Sequence, residues 1–171
     1  MNKLRLSHFL VVNRLYHTSK SMATVNFQPI TGSILPRYAG IASLLRLPVL
    51  CPVEAVREGV DIGLIGVPYD GGTTNRPGAR HGPRSVRDIS TSIRNVNRAT
   101  GVNPFVLCNC ADLGDAPVNP LSIQSSLASI TSYYQHLYQN GISPLSIGGD
   151  HLITLPILRA VATSPVALIQ F

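Results

Sequence analysis

The 171-residue sequence has no tryptophan, and beyond residue 53 it has no lysine. No apolar run approaches the ~18 residues that a transmembrane helix needs, so no membrane partner is expected. The three cysteines cannot form an even disulfide framework, and this favours a reducing compartment. What remains, with 44% hydrophobic residues, is the composition of one packed domain.

The net charge of +6 belongs to the amino-terminal third of the chain. Residues 1–53 hold six basic residues and no acidic one, whereas residues 54–171 hold eight arginines and eight acidic residues. Nucleic-acid binding needs clustered cations, and the balanced body of the chain has no such excess. No nucleic-acid partner is therefore expected.

The first 21 residues are basic, rich in hydroxyl groups and apolar residues, and free of acids. This pattern predicts a mitochondrial transit peptide over residues 1–21, processed somewhere after Arg14, and hence a mitochondrial location. A secretory signal is disfavoured because the apolar core Phe9–Val12 is shorter than the ~7–15 residues of such signals. A disordered basic tail is the alternative interpretation.

Two further regions follow this leader. Residues 22–60 are punctuated by prolines and predict an extended arm with one helical turn at Ile41–Leu45. Residues 61–171 alternate between strand and helix patterns, which predicts an α/β fold, a three-layer α/β/α arrangement with a mainly parallel sheet. The predicted strands are Ile62–Val67, Phe105–Cys110, Ile142–Ile147 and Val166–Phe171. The predicted helices are Pro83–Ile93, one starting at Asn119-Pro120 with a stripe of Leu127, Ile130, Tyr134 and Leu137, and Leu152–Val161.

The segment Ser146–Pro156 (SIGGDHLITLP) passes from a strand through two glycines and an Asp-His pair into a helix. His151 therefore lies at the carboxyl edge of the sheet, where open α/β folds bind ligands, and is a candidate metal ligand. Considered alone, such a histidine more often caps a helix or fills a core. Asp150 and His151 are adjacent, so only one is expected to reach a shared ligand, while the other bonds either the backbone or a group that supports the ligand.

A long glycine-rich loop follows the first predicted strand. It lacks the lysine of a phosphate-binding loop, and no G-x-G-x-x-G stands at this turn. No G-x-S-x-G elbow of a serine hydrolase is present either. The loop is expected to shape a substrate pocket, with a plain surface connection as the alternative. Cys108 and Cys110 are expected to share one face of a strand, as buried apolar residues rather than as a metal pair.

Three blocks of this sequence belong together: Gly66–Pro83 (GVPYDGGTTNRPGARHGP), Cys110–Asp115 (CADLGD) and Gly148–His151 (GGDH). In combination they resemble the ureohydrolase (arginase/agmatinase) family. Phe27–Pro29 and Pro36–Ala42 are similar to the arm of the agmatinase-like branch, so the resemblance covers residues 27–171. It implies the amino-terminal part of an arginase-like fold and, in the complete form, a homo-oligomer.

The resemblance also implies a reaction: hydrolysis of a guanidino substrate, such as agmatine, to urea and an amine such as putrescine. The resemblance further implies two Mn²⁺ ions per site of the complete domain, which would activate a hydroxide for this attack. His151 matches the first of three family ligand motifs, and the other two, D-A-H-x-D and D-x-D, have no counterpart. At most one of six ligands is thus present, and we expect the chain as given to be inactive.

Two alternatives remain open at this point. Arg76 and Arg80 in the glycine-rich loop are suited to pair with a carboxylate, which would favour a guanidino-acid substrate over agmatine. Either arginine can equally act as a structural clamp. A non-catalytic short isoform that associates with full-length subunits is the alternative from another functional class.

Overall fold

The computed structural model describes residues 24–169, and the predicted transit peptide lies outside this range. Within it, three parallel strands form one sheet in the order β2-β1-β3, with β1 in the centre. The strands are β1 (Ile62–Val67), β2 (Cys110–Asp115) and β3 (Ser143–Gly148). Because every strand runs in the same direction, all the loops that follow them meet at one edge of the sheet.

Four α-helices accompany the sheet: α1 (Pro52–Arg57), α2 (Gly82–Ser90), α3 (Ile123–Gln139) and α4 (Thr154–Val161). Short 3₁₀ helices lie at Leu44–Arg46, Ala79–His81, Pro104–Val106 and His151–Ile153. Among residues 24–169, no helix has the length and apolar character needed to cross a bilayer.

Alternation along β1 sends side chains into two separate cores. Ile65 and Val67 pack with α1, α3 and α4 on one face, whereas Leu64 packs with the Leu44–Arg46 turn and with Phe105 on the other. The helix α2 covers this second face as well, beside the same turn. The sheet is therefore covered on both faces, and the predicted three-layer α/β/α fold with a parallel sheet is confirmed.

The apolar stripe of α3 behaves as predicted, but the start of the helix does not. Ile130, Tyr134 and Leu137 are fully buried. The helix begins after Ser122, whose hydroxyl accepts the Ser125 N–H at 3.2 Å, and not at Asn119-Pro120. The Asn119 side chain instead accepts the Leu121 N–H at 2.9 Å and closes a turn before the helix.

The predicted strand Phe105–Cys110 is wrong. Residues Pro104–Val106 form a 3₁₀ helix, because Asn103 caps the Phe105 N–H at 3.1 Å and Pro104 suits a first helical turn. The strand β2 begins only at Cys110. Cys108 therefore precedes the strand, and the predicted sharing of one strand face by the two cysteines is wrong as well.

The ends of the described region also differ from prediction. The arm contains a helix, α1, whose start is capped by a hydrogen bond of 2.9 Å from the Cys51 N–H to Glu54. Of the predicted strand Val166–Phe171, residues 166–169 are described, and they are exposed and pair with no strand. Apolar content alone does not make a strand, which exists only through hydrogen bonds to a neighbour. The predicted regions 22–60 and 61–171 remain predictions.

Candidate functional site

His151 lies where the sequence predicts it, at the carboxyl edge of the sheet. The strand β3 ends at Gly148, and His151 is the first residue of the 3₁₀ helix that leads into α4. Its side chain is exposed and lines an open depression with Gly72, Leu152 and Thr154, among others. Within the described part of the chain, the imidazole makes no hydrogen bond, and the residue as a whole is exposed.

The second glycine before the Asp-His pair is required by a crossing of two chain segments. A Cβ atom on Gly149 would lie 1.9 Å from the carbonyl oxygen of Tyr69. The close approach is held by backbone hydrogen bonds from Gly149 N–H to the Val67 carbonyl (3.1 Å) and from Asp150 N–H to the Tyr69 carbonyl (2.8 Å). These bonds join the loop after β1 to the loop after β3.

Asp150 bonds backbone, as expected for the partner of a ligand. One carboxylate oxygen accepts the Gly72 N–H at 2.6 Å, and the other accepts the Leu152 N–H at 2.9 Å. Asp150 thus caps the helix that begins at His151 and attaches it to the glycine-rich loop. The chain gives the two neighbours different roles: Asp150 fixes the backbone, and His151 faces solvent.

The glycine-rich loop is closed by an ion pair between Asp70 and Arg80. Asp70 is 3% exposed and accepts the Arg80 Nε–H at 2.7 Å and the Gly78 N–H at 2.8 Å. The Arg80 hydrogen bond is the main cause that lowers the Asp70 pKa to about 2. Arg80 therefore acts as a structural clamp. Arg76, with a φ of 56°, is exposed and makes no ion pair with any residue in 24–169.

A second cluster of charges, not recognised from the sequence, lies at the end of β2. Arg87 of α2 donates to both oxygens of Asp112, at 2.9 and 3.0 Å, and to Asp115 at 2.6 Å. Asp112 also accepts the N–H groups of Leu44 and Gly114, each at 2.9 Å. These bonds use both carboxylate oxygens, so this cluster joins α2, β2 and the arm. The sequence feature that could have indicated this cluster is an acidic residue inside a strand together with an arginine on the preceding helix.

The described residues do not by themselves fit a metal centre. No group of three or more histidine, cysteine, aspartate or glutamate side chains converges anywhere in residues 24–169. Asp70 and Asp150 point their oxygens at backbone N–H groups, and Asp112 is engaged by Arg87. His151 alone supplies one ligand, whereas metal sites of this kind use three or more protein ligands.

The fold and the site together define a class: a three-layer α/β protein with an accessible histidine at the carboxyl edge of its parallel sheet. A family model described as the arginase family matches residues 60–171. This match covers more than half of the chain. The chain belongs to the arginase family.

Relatives of known activity agree with this assignment. Guanidinopropionase of Pseudomonas aeruginosa is 47% identical over 84% of this chain and 44% of that protein. The human mitochondrial guanidino acid hydrolase is 44% identical over 84% of this chain and 40% of that protein. The mitochondrial agmatinase of Gallus gallus is 43% identical over 83% of this chain and 41% of that protein. The chain thus spans less than half the length of these curated relatives.

Solved structures show the same fold. Proclavaminate amidino hydrolase from Streptomyces clavuligerus superposes with a TM-score of 0.68 at 41% identity, over 74% of this chain and 41% of that one. Trypanosoma cruzi formiminoglutamase, crystallised with Mn²⁺₂, superposes with a TM-score of 0.55 at 27% identity, over 60% of this chain and 37% of that one. The arginase-like fold is therefore present in its amino-terminal part.

Proposed function

We propose that this chain provides the amino-terminal portion of a ureohydrolase, with His151 as one protein ligand of a manganese pair. The observation that carries the proposal is the placement of His151: exposed, at the carboxyl edge of the sheet, and first in a helix that Asp150 caps. The family match and the Mn²⁺₂ of the formiminoglutamase neighbour support it. The remaining ligands would come from sequence that follows the matched segment in a complete family domain.

The reaction we infer consumes a guanidino compound and water and forms urea and an amine. Guanidino acids are the substrate class we favour, with agmatine as the alternative. The names of the Pseudomonas and human relatives support an acid, whereas the chicken relative is an agmatinase. In the glycine-rich loop, Arg80 is engaged by Asp70, so Arg76 is the arginine available to pair with a substrate carboxylate.

A chimera tests the proposal. Residues 60–171 would replace the matched segment of P. aeruginosa guanidinopropionase, and urea release and bound manganese would be measured. We expect an active chimera, and we expect His151→Ala to lose manganese affinity by at least about tenfold, the lower end of the loss for a supporting residue of a metal site. His136→Ala is the matched control, because His136 is exposed on α3. Equal manganese content in the two variants would refute the role of His151.

The substrate class is tested in the same chimera. Guanidino acid should be a better substrate than agmatine, as judged by kcat/KM for urea release. Arg76→Met should raise KM for the acid with little change for agmatine, because only the acid carries a carboxylate. Equal effects on the two substrates would show that Arg76 supports the loop and does not bind the substrate carboxylate. The case for a guanidino acid would then lose this support, and agmatine would be favoured.

The 171-residue chain tested by itself should release no urea. His151 alone does not hold two divalent ions, and no group of three or more ligating side chains converges in residues 24–169, so added Mn²⁺ has no pair of sites to fill. The assay uses the purified chain with Mn²⁺ and each substrate. Urea release well above background would overturn this part of the proposal.

A second candidate function, association with full-length subunits, is favoured by the outer side of β3. Leu145 pairs with Leu64 of β1 and shares its face of the sheet, yet Leu64 is 3% exposed and Leu145 is 54% exposed. No strand among residues 24–169 pairs with the other edge of β3. Co-purification with a full-length relative, lost on Leu145→Lys and kept on Val53→Lys of α1, would support it. Purification of the parent chain alone would refute it.

We propose a mitochondrial location on two grounds: the acid-free basic leader at residues 1–21, and the mitochondrial relatives from human and chicken. Fusion of residues 1–21 to a fluorescent protein should direct it to mitochondria. Replacing Arg5 and Arg14 by glutamine should abolish import, and a fusion that stays cytosolic with the native leader would contradict the proposal.

A further inference from the structure

A cavity of about 100 Å³ lies between the amino-terminal arm and the segment that follows α2. Three of its lining residues are arginines, and none is acidic. Arg37 and Arg46 come from the arm and Arg94 from the segment after α2, with Thr31 and Asn95 adding polar groups. The lining of this cavity is therefore positively charged, whereas residues 54–171 as a whole carry equal numbers of arginines and acids.

Arg46 is the buried one of the three arginines that line this cavity. It is only 9% exposed, and its Nη2–H donates to the Leu35 carbonyl at 2.7 Å. Its Nη1 is buried and has no hydrogen-bond partner, the only such side-chain atom found in residues 24–169. Buried guanidinium groups are normally paired with carboxylates, as Arg87 is with Asp112 and Asp115. The unpaired donor of Arg46 therefore indicates a missing acceptor.

The backbone holds Arg46 in this position at a conformational cost. Leu45 and Arg46 have φ values of 57° and 61°, in the left-handed region that residues with a Cβ atom rarely adopt. Side chains from elsewhere in the fold fix the turn: Asp112 accepts the Leu44 N–H at 2.9 Å, and Ser90 accepts the Leu45 N–H at 2.9 Å. The position of Arg46 is thus set by the fold and not by a local preference.

The other two arginines keep donors free for a ligand. Arg37 uses one Nη1–H to reach the Ser92 carbonyl at 3.1 Å, and a guanidinium has five N–H donors in all. Arg94 is exposed at the cavity. The cavity exceeds several times the ~10–15 Å³ needed for one water, so it has room for a polyatomic ion.

We propose that this cavity is a binding site for an oxyanion, either a carboxylate or a phosphate, with Arg46 as the main ligand and Arg37 and Arg94 as its supporting cations. Guanidinium groups match both anions through paired N–H donors. The cavity shares no lining residue with the depression at His151, so the two are separate places in the structure.

Binding of inorganic phosphate and of acetate to the 171-residue chain, measured by calorimetry at constant ionic strength, tests the site. We expect one saturable site for at least one of these ions. Arg46→Met should weaken binding at least tenfold and Arg94→Met several-fold, whereas Arg159→Met, an exposed arginine of α4, should leave it unchanged. If Arg46→Met does not fold, as judged by circular dichroism, the exposed Arg94 decides the outcome.

Two sources of the anion are distinguished by light scattering after gel filtration. If the natural occupant is a carboxylate side chain of a second copy, the parent chain is oligomeric without added ions, and phosphate or Arg46→Met makes it monomeric. If the occupant is a free ion, the chain keeps one mass throughout and binds phosphate or acetate. A chain that binds neither ion and whose mass responds to neither phosphate nor Arg46→Met overturns the proposal, as does ion binding that all three variants leave unchanged.

Discussion

Two regions among residues 24–169 carry buried charge, and they differ in how that charge is neutralised. At the carboxyl edge of the sheet, Asp70 is paired with Arg80, and Asp112 with Arg87. In the arm cavity, Arg46 is also buried, and no acidic residue among residues 24–169 lines the cavity beside it. Burial of an unpaired charge is unfavourable. The charges of the first region are therefore compensated by contacts within the chain, whereas the anion proposed above would compensate Arg46.

The largest effect is expected for Arg87→Met. This change leaves Asp112 buried without its cation, and loss of one member of a buried ion pair destabilises by about 3–5 kcal/mol. Denaturation with urea measures the difference in the free energy of unfolding. Arg84→Met on the exposed side of α2 is the control and should change stability by no more than about 0.5 kcal/mol. If Arg87→Met lost equally little stability, the ion pair of Asp112 would contribute little, and the two regions would no longer differ in how buried charge is stabilised.

Gly149→Ala should cause the second-largest loss in the free energy of unfolding. Its Cβ would meet the carbonyl oxygen of Tyr69 at 1.9 Å, and backbone cannot move aside as a flexible side chain can. Overpacking of this kind destabilises by about 1–3 kcal/mol. Gly32→Ala, where the nearest contact would be 3.8 Å away, is the control. Equal unfolding midpoints for the two variants would show that the crossing of the loops is not tight.

The ion pair between Asp70 and Arg80 predicts that the stability of the fold depends on pH. Its pKa falls from an ordinary 3.8 to about 2, chiefly because Arg80 bonds the charged form. The ion pair thus stabilises the fold fully above about pH 4, and the contribution disappears as the pH falls towards 2. Asp70→Asn should therefore be less stable than the parent at pH 5 and match it near pH 2, while Asp88→Asn on α2 parallels the parent. A difference in the free energy of unfolding between Asp70→Asn and the parent that stays constant from pH 5 to pH 2 would contradict the stabilising role of the ion pair.

The smallest effect is expected for Arg46→Met in buffer without phosphate or carboxylate. Removing a buried charge that has no counter-ion should be neutral or stabilising, within about 1 kcal/mol. The same denaturation assay compares it with Arg87→Met. A loss as large as that of Arg87→Met would show that Arg46 is satisfied within the chain, and it would weaken the case for an anion.

Local patterns in the sequence predicted those parts that depend on neighbours along the chain. The apolar run of β1, the stripe of α3 and the strand-Gly-Gly-Asp-His-helix order at His151 all lie as expected. The start of β2 was missed because the apolar residues before it turn into a 3₁₀ helix. The acids within β2 are tolerated only because Arg87 reaches them from α2.

The sequence by itself determined the fold class and the position of His151, because strand and helix periods and glycine pairs are local features. Tertiary structure alone decided which charges meet. It placed Arg80 on Asp70 and Arg87 on Asp112, and it gave Arg46 no acidic partner within residues 24–169. These pairings join residues distant in sequence, and the free energy of a buried charge depends on what the fold brings within hydrogen-bond distance of it.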